Sequence, residues 1–233
     1  MCGRYASSKS AGELAGEFDI DELRLALDLP ASWNVAPTDE VYIVAERPPR
    51  SADGEPEARE RQLRSARWGL VPSWSKDASG GARMINARAE SVAEKPAFRR
   101  AFAARRCLVP ADGYYEWYTC ENGSKQPFYI HPTDGRSLAM AGLYEIWCDP
   151  RAPEGEGFLW SCTVITTSAT DALGRLHDRM PLLVEPEHWA AWLGAGPGAL
   201  DLLSPATHLE AWPVSPAVGN VRNNGPELVE PLG

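Results

Sequence analysis

Residues Gly113 to Trp147 read GYYEWYTCENGSKQPFYIHPTDGRSLAMAGLYEIW, and this stretch decides the fold. Two aromatic and apolar runs, Gly113 to Trp117 and Pro127 to Ile130, flank Glu121-Asn122-Gly123. A third run, Leu138 to Trp147, follows Thr133-Asp134-Gly135. Asn-Gly and Asp-Gly pairs supply the positive φ that tight hairpin turns demand, so the three runs are strands paired antiparallel. Cys107 to Val109 and Ser161 to Thr167 extend the pattern on either side.

Outward from that centre the signals alternate. Val41 to Ala45 reads as a strand, and Arg67-Trp68-Gly69-Leu70-Val71-Pro72 resumes the pattern. Between them, Glu46 to Ser65 is rich in Pro, Gly and alternating charge, so residues 46–66 are expected to be a surface loop or hairpin insertion. Ser73 to Gly81, with its Gly80-Gly81 pair, is expected to be a flexible surface loop. Ser10-Ala11-Gly12-Glu13 has the form of a capping box, with Leu14 and Phe18 four apart behind it, which predicts a short helix. Asp21 to Leu27 is read as a second helical stretch and Trp33 to Thr38 as a loop. Ser91 to Glu94 offers another capping box, Pro96 suits a first turn, and Phe98 and Phe102 share one face of the helix that follows. The tail adds a helix near Pro186 to Leu193 and a strand near Leu209 to Val214. Without an internal repeat or a linker, the reading is one α+β domain over residues 1–233, a curved antiparallel barrel-like sheet with flanking helices.

Composition narrows the function. Of the 233 residues 44% are hydrophobic and nine are tryptophan, enough for a large core. Apolar runs are too short for a membrane helix. The amino-terminal stretch lacks the order of a signal peptide, which points to the cytoplasm. The five cysteines form no C-x-x-C pair and the four histidines have no ligand spacing, so neither a metal, a cofactor nor a disulfide framework is expected. The net charge of −9 argues against a nucleic-acid partner. Its distribution argues the other way. Arg83 to Arg106 carries seven basic residues against Glu90 and Glu94.

Cys2 stands directly behind the initiator methionine. Removal of Met1 would leave an α-amine of pKa about 7.7 to 8.0 beside a thiol near about 8.5, both partly deprotonated at neutral pH. Such a pair takes an aldehyde first as a Schiff base and then closes it through sulfur into a thiazolidine. Three segments supply supporting chemistry. Asn86 and Arg88 lie in Ile85-Asn86-Ala87-Arg88-Ala89-Glu90. Glu116 sits in an aromatic strand, where apolar surroundings raise a carboxyl pKa toward the range of proton transfer. His177 and Arg179 stand two apart in Leu176-His177-Asp178-Arg179-Met180-Pro181, before a proline-fixed turn.

Together with Met1-Cys2-Gly3-Arg4-Tyr5, Asn34-Val35-Ala36-Pro37-Thr38, Trp68-Gly69-Leu70-Val71-Pro72-Ser73-Trp74, the stretch Arg106 to Trp117 and the closing Val214 to Leu228, these motifs resemble the SRAP family, the SOS-response-associated peptidases understood as abasic-site processing proteins. The resemblance implies an α+β barrel-like domain with a positive groove for single-stranded DNA. It implies that Cys2 traps the ring-opened sugar aldehyde of an abasic site as a thiazolidine DNA–protein crosslink. Asn86 would hold the sugar or the Cys2 amine, Glu116 would shuttle protons, and His177 would act on the ring oxygen. Arg4, Arg88 and Arg179 would bind flanking phosphates, and Trp68 with the Trp33-Asn34 loop would stack on bases. The implied partner is abasic single-stranded DNA, bound by a cytoplasmic monomer that is nucleoid-associated when on DNA, with no membrane and no metal. Two rival readings stand beside it. One is a cysteine-type peptidase using Cys2, with Met1 self-removal as its minimal form; the other is a non-covalent single-strand-binding module. Lyase activity is a further possibility within the family.

Overall fold

The computed structural model describes residues 2–47, 59–169, 176–194, 200 and 209–233. Thirteen strands carry the described fold: β1 (Tyr5–Ser7), β2 (Glu22–Arg24), β3 (Ser32–Val35), β4 (Glu40–Arg47), β5 (Glu60–Trp68), β6 (Asn86–Arg88), β7 (Arg106–Ala111), β8 (Gly113–Thr119), β9 (Lys125–Pro132), β10 (Leu138–Cys148), β11 (Phe158–Ser168), β12 (Arg179–Pro181) and β13 (Leu209–Pro213). Three short helices accompany them: α1 (Ala11–Glu17), α2 (Arg99–Ala104) and α3 (Trp189–Leu193). The expected α+β architecture with a barrel-like antiparallel sheet is the one found.

One sheet has the order β13-β9-β8-β1-β3, antiparallel throughout. The second runs β12-β11-β10-β7-β4-β5-β2. Its strand β5 also pairs in parallel with β11, Cys162 opposite Trp68, which closes β11-β10-β7-β4-β5 into a barrel. Beyond that contact β6 takes over the same edge of β11, with Asn86 opposite Val164 and Arg88 opposite Thr166. On the other edge β12 follows β10, setting Arg179 opposite Ser168.

Alternation along the strands divides the core. Ile43, Ala66, Trp68, Val109, Met140, Cys162 and Val164 form one cluster with Cys2, Tyr5 and Tyr114 from the five-stranded sheet. The opposite faces, including Tyr42, Val44, Leu108, Leu143 and Ile165, pack under the three helices. A third cluster, with Tyr115 and Tyr129, anchors Val214, Val218 and Leu228.

Several local expectations need correction. Asp21 to Leu27 is not helical: Glu22–Arg24 pairs in parallel with β5 as an edge strand, while Leu23 and Leu27 stay exposed. Trp33 to Thr38 is not wholly loop, because β3 pairs with β1, Tyr5 opposite Val35. Only part of residues 46–66 departs from the sheet: Glu46 and Arg47 end β4, Glu60 to Ala66 belong to β5, and the rest lies largely outside the described residues. Charges that suggested a loop are neutralised in place, Arg61 by Glu46 at 3.3 Å. Helix α2 begins at Arg99, with no side-chain cap at Phe98. The Ser91 carbonyl instead accepts from the Glu94 and Lys95 amides, an isolated turn. The capping box at Ser10 forms as expected, both bonds present. Pro181 lies in β12 rather than in a turn. Gly81 is buried, not flexible: a Cβ there would stand 2.6 Å from the Gly69 carbonyl oxygen, so two backbones meet where no side chain fits.

Candidate active site

The Gly69–Gly81 contact folds the chain after β5 back on itself and delivers β6 to the barrel. Leu70 N–H reaches the Met84 carbonyl at 3.1 Å. The next carbonyl, Ile85, accepts from Val164 N–H at 3.0 Å and from the Trp68 indole Nε1–H at 3.0 Å. Asn86 follows directly and donates from Nδ2 to the Cys2 carbonyl at 2.7 Å, across 84 residues of sequence. Its Oδ1 is buried with no hydrogen-bond partner among the described residues.

Cys2 is fully buried. Burial, reinforced by the negative charge of Glu116, pushes its thiol far above the ordinary range. Glu116, opposite Phe128 in the β8–β9 pair, is 3% exposed, and burial raises its carboxyl to about 7. Tyr114, two residues earlier on the same face of β8, is likewise pushed up by burial and by the charges of Cys2 and Glu116. His177 is lowered by burial. Its Nδ1 accepts the Arg179 amide at 2.9 Å, which assigns the neutral ring's proton to Nε2 despite the nearby Asp178 carboxylate at 3.0 Å. Thiol, amide, a carboxyl titrating near neutrality and a neutral imidazole thus converge from β1's approach, β6, β8 and the lead into β12. That set can hold a nucleophile and move protons around it.

The proposed phosphate and base contacts fare differently. Arg88 is exposed, two residues beyond Asn86 on β6 and opposite Thr166 of β11. Arg179 is engaged: its Nη1 and Nη2 meet Glu90 at 2.5 and 3.1 Å, and Nη2 also donates to the Thr166 carbonyl at 2.5 Å. Arg4 donates through Nη1 to Asn34 Oδ1 at 2.6 Å and to the Val218 carbonyl at 2.8 Å, with its guanidinium 5.9 Å from the Trp117 ring. Asn34 is buried, and its Nδ2 faces the carbonyls of Val218, Asn220 and Asn223 at 3.3, 3.1 and 2.8 Å. It is a structural hub, not a surface contact. Trp68 is fully buried with Tyr5 packed edge-on at 5.1 Å, so no base can stack on it. The exposed aromatic of that motif is Trp74, at 62%. Both rings stand in one tryptophan-rich motif, and only the β5–β11 pairing distinguishes them.

The basic run from Arg83 to Arg106 does not form one groove either. Arg88 lies beside the site, while Arg106 is buried and donates to the carbonyls of Trp192 and Gly194 at the end of α3. Among the described residues no helix is long and apolar enough to cross a membrane, and no three His, Cys, Asp or Glu side chains gather as a metal site.

The buried Cys2 thiol thus lies with a carboxyl, an amide and an imidazole beside a closed barrel, an arrangement suited to nucleophilic chemistry. The family model described as SOS response associated peptidase (SRAP) matches residues 1–221, and the chain belongs to that family. It is 37% identical over 236 residues to abasic site processing protein YoqW of Bacillus subtilis, covering 99% of both chains. It is 32% identical over 245 residues to YedK of Escherichia coli, covering 100% of both, which bears the same descriptive name. A solved structure from Bacteroides thetaiotaomicron superposes with a TM-score of 0.79 at 25% identity, covering 99% of this chain and 100% of that one.

Proposed function

We propose that this protein processes abasic sites in single-stranded DNA by capturing the lesion on Cys2. The observation that carries this reading is the contact of Asn86 with the Cys2 backbone beside a buried glutamate that titrates near 7. In the working form Met1 is absent. The α-amine of Cys2 adds to C1′ of the ring-opened sugar, and one water leaves as the Schiff base forms. The thiol then adds to the imine carbon, its proton passing to nitrogen, and C1′ ends bonded to both N and S. Glu116 accepts and returns the protons, which its pKa suits at physiological pH. Asn86 Oδ1 accepts from the Cys2 amine, and His177 Nε2–H assists opening of the sugar ring. A buried, protonated thiol fits this order better than direct thiolate attack on an amide, because the amine reacts first.

Arg88 faces solvent where a flanking phosphate would pass, and Arg179 reaches a phosphate by exchanging Glu90 for it. Trp74 offers its ring to a base. The test mixes the protein, with Cys2 verified as the first residue, with an oligonucleotide holding one abasic site. The expected product survives denaturation and has the summed mass less one water. Cys2→Ala and a retained amino-terminal extension abolish it; Glu116→Gln slows it about 100-fold and Asn86→Ala about 10-fold. Absence of the adduct from the verified protein overturns the reading. Peptide-bond cleavage that survives blocking of the amine favours a cysteine peptidase instead.

A further inference from the structure

A cavity of about 740 Å³ opens between the end of α2, β10 and the facing ends of β4 and β5. Arg47, Arg59, Arg100 and Arg105 line it with Tyr144, and Glu145 is the one carboxylate among its described lining residues. Glu145 is already consumed, since Arg105 meets it through Nε at 2.9 Å and Nη2 at 2.9 Å. Arg59 spends one donor on the Glu46 carbonyl. Among the described residues neither Arg47, Arg59 nor Arg100 pairs with a carboxylate. Arg47 lies over the Trp160 ring at 5.3 Å, with Arg64 at 4.2 Å from the same ring and Tyr144 stacked against it at 5.1 Å. Aromatic packing therefore fixes Arg47 in place, with no carboxylate paired to it among the described residues.

A protein of net charge −9 gathers these cations against its own average. Clustering like charges costs Coulomb energy, and a polyanion would recover it. The cavity is separate from the Cys2 site. Val164 on β11 faces Asn86, while Trp160 lies four residues back, about 13 Å at about 3.3 Å per residue. We infer that this basic cavity is a second phosphate-binding surface, which holds the DNA backbone several nucleotides away from a lesion at Cys2. The assignment rests on the proposed DNA-binding reading and extends it from the reacting nucleotide to the length of strand engaged.

Oligonucleotides of 5 and 25 nucleotides, undamaged and labelled, titrated against the full chain carrying Cys2→Ala, test it. Arg59 and Arg100 are exposed, so Arg59→Glu with Arg100→Glu should fold as wild type, and the Gln pair gives a milder second variant. The expected result is a loss of about 10-fold in affinity for the 25-mer, with a shallower salt dependence by about 1.4 in log–log slope, and 5-mer affinity within 2-fold of the parent. Equal losses for both lengths, or none for either, overturn the inference. So does competition by inorganic phosphate as effective as that by the 25-mer, which would make the cavity a small-anion site. Crosslinking to a short abasic oligonucleotide, measured with Cys2 intact, separates the two proposals: it fails if the Cys2 chemistry is wrong and is unchanged in the arginine variants if only this surface is.

Discussion

Glu116 and Glu145 are buried to nearly the same degree, 3% and 4% exposed, yet they stand in opposite environments. Glu145 is clasped from the side by Arg105, which turns a buried charge into part of the frame. Glu116 lies among Tyr114, Cys2 and the aromatic strand, and its carboxyl rises to about 7. The difference teaches where this molecule is solid and where it holds a group away from its preferred state. An ion pair fixes part of the barrel, whereas in the five-stranded sheet burial holds a carboxyl away from its preferred charged state, as the proposed proton transfer would require.

The hardest blow to this contrast is Trp68→Ala, expected to cost about 3 to 5 kcal/mol, because a full indole leaves the core and the Ile85 carbonyl loses a donor. Denaturant unfolding measures it, and a loss below about 1 kcal/mol would mean that β6 is held by other means. Arg105→Ala comes next, at about 3 kcal/mol, because it strands the buried Glu145 carboxylate.

Glu116→Gln should act with the opposite sign. A folded pKa raised from 4.5 to about 7 means that the native state holds the proton more tightly than the unfolded chain. Its contribution is therefore complete below about pH 4.5 and lost as pH rises through about 7. At pH 8 the Gln variant should be more stable than wild type by at most about 3 kcal/mol, and at pH 4.5 nearly equal to it. Melting temperatures across that range decide the matter; a pH-independent difference would remove Glu116 from the titration.

The smallest effect is Trp74→Ala, which should leave stability within about 0.5 kcal/mol and weaken single-strand binding by about 1 kcal/mol. Measured together with Trp68→Ala, it tells the packing tryptophan from the stacking one.

How far the residues alone reveal this can be judged from those two rings. Hairpin glycines and alternating apolar positions made the central strands legible, since those signals are local. Asn86, Glu116 and His177 stood out as candidates because an amide, an acid and an imidazole stood in unusual company. Which aromatic is covered, and whether Asn34 faces solvent or three carbonyls, depends on pairings between segments up to 189 residues apart. Leu23, Leu25 and Leu27 carry a period of two, but only Glu22 to Arg24, which have β5 beside them, become strand. The arginines between Arg83 and Arg106 were adjacent in sequence and distributed by the fold to separate faces.

Asn34 and Arg4 hold the carbonyls of Val218, Asn220 and Asn223, so the amino-terminal segment is completed by residues 184 to 214 positions further along the chain. At about 5 to 20 residues per second, synthesis up to residue 218 takes about 10 to 40 s. During that interval Arg4 and Asn34 lack those carbonyl partners, although β1 already has β3 and β8 to pair with. In the vectorial order of synthesis, the segment next to Cys2 is therefore locked by its last partners well after β1, β3 and β8 have been made.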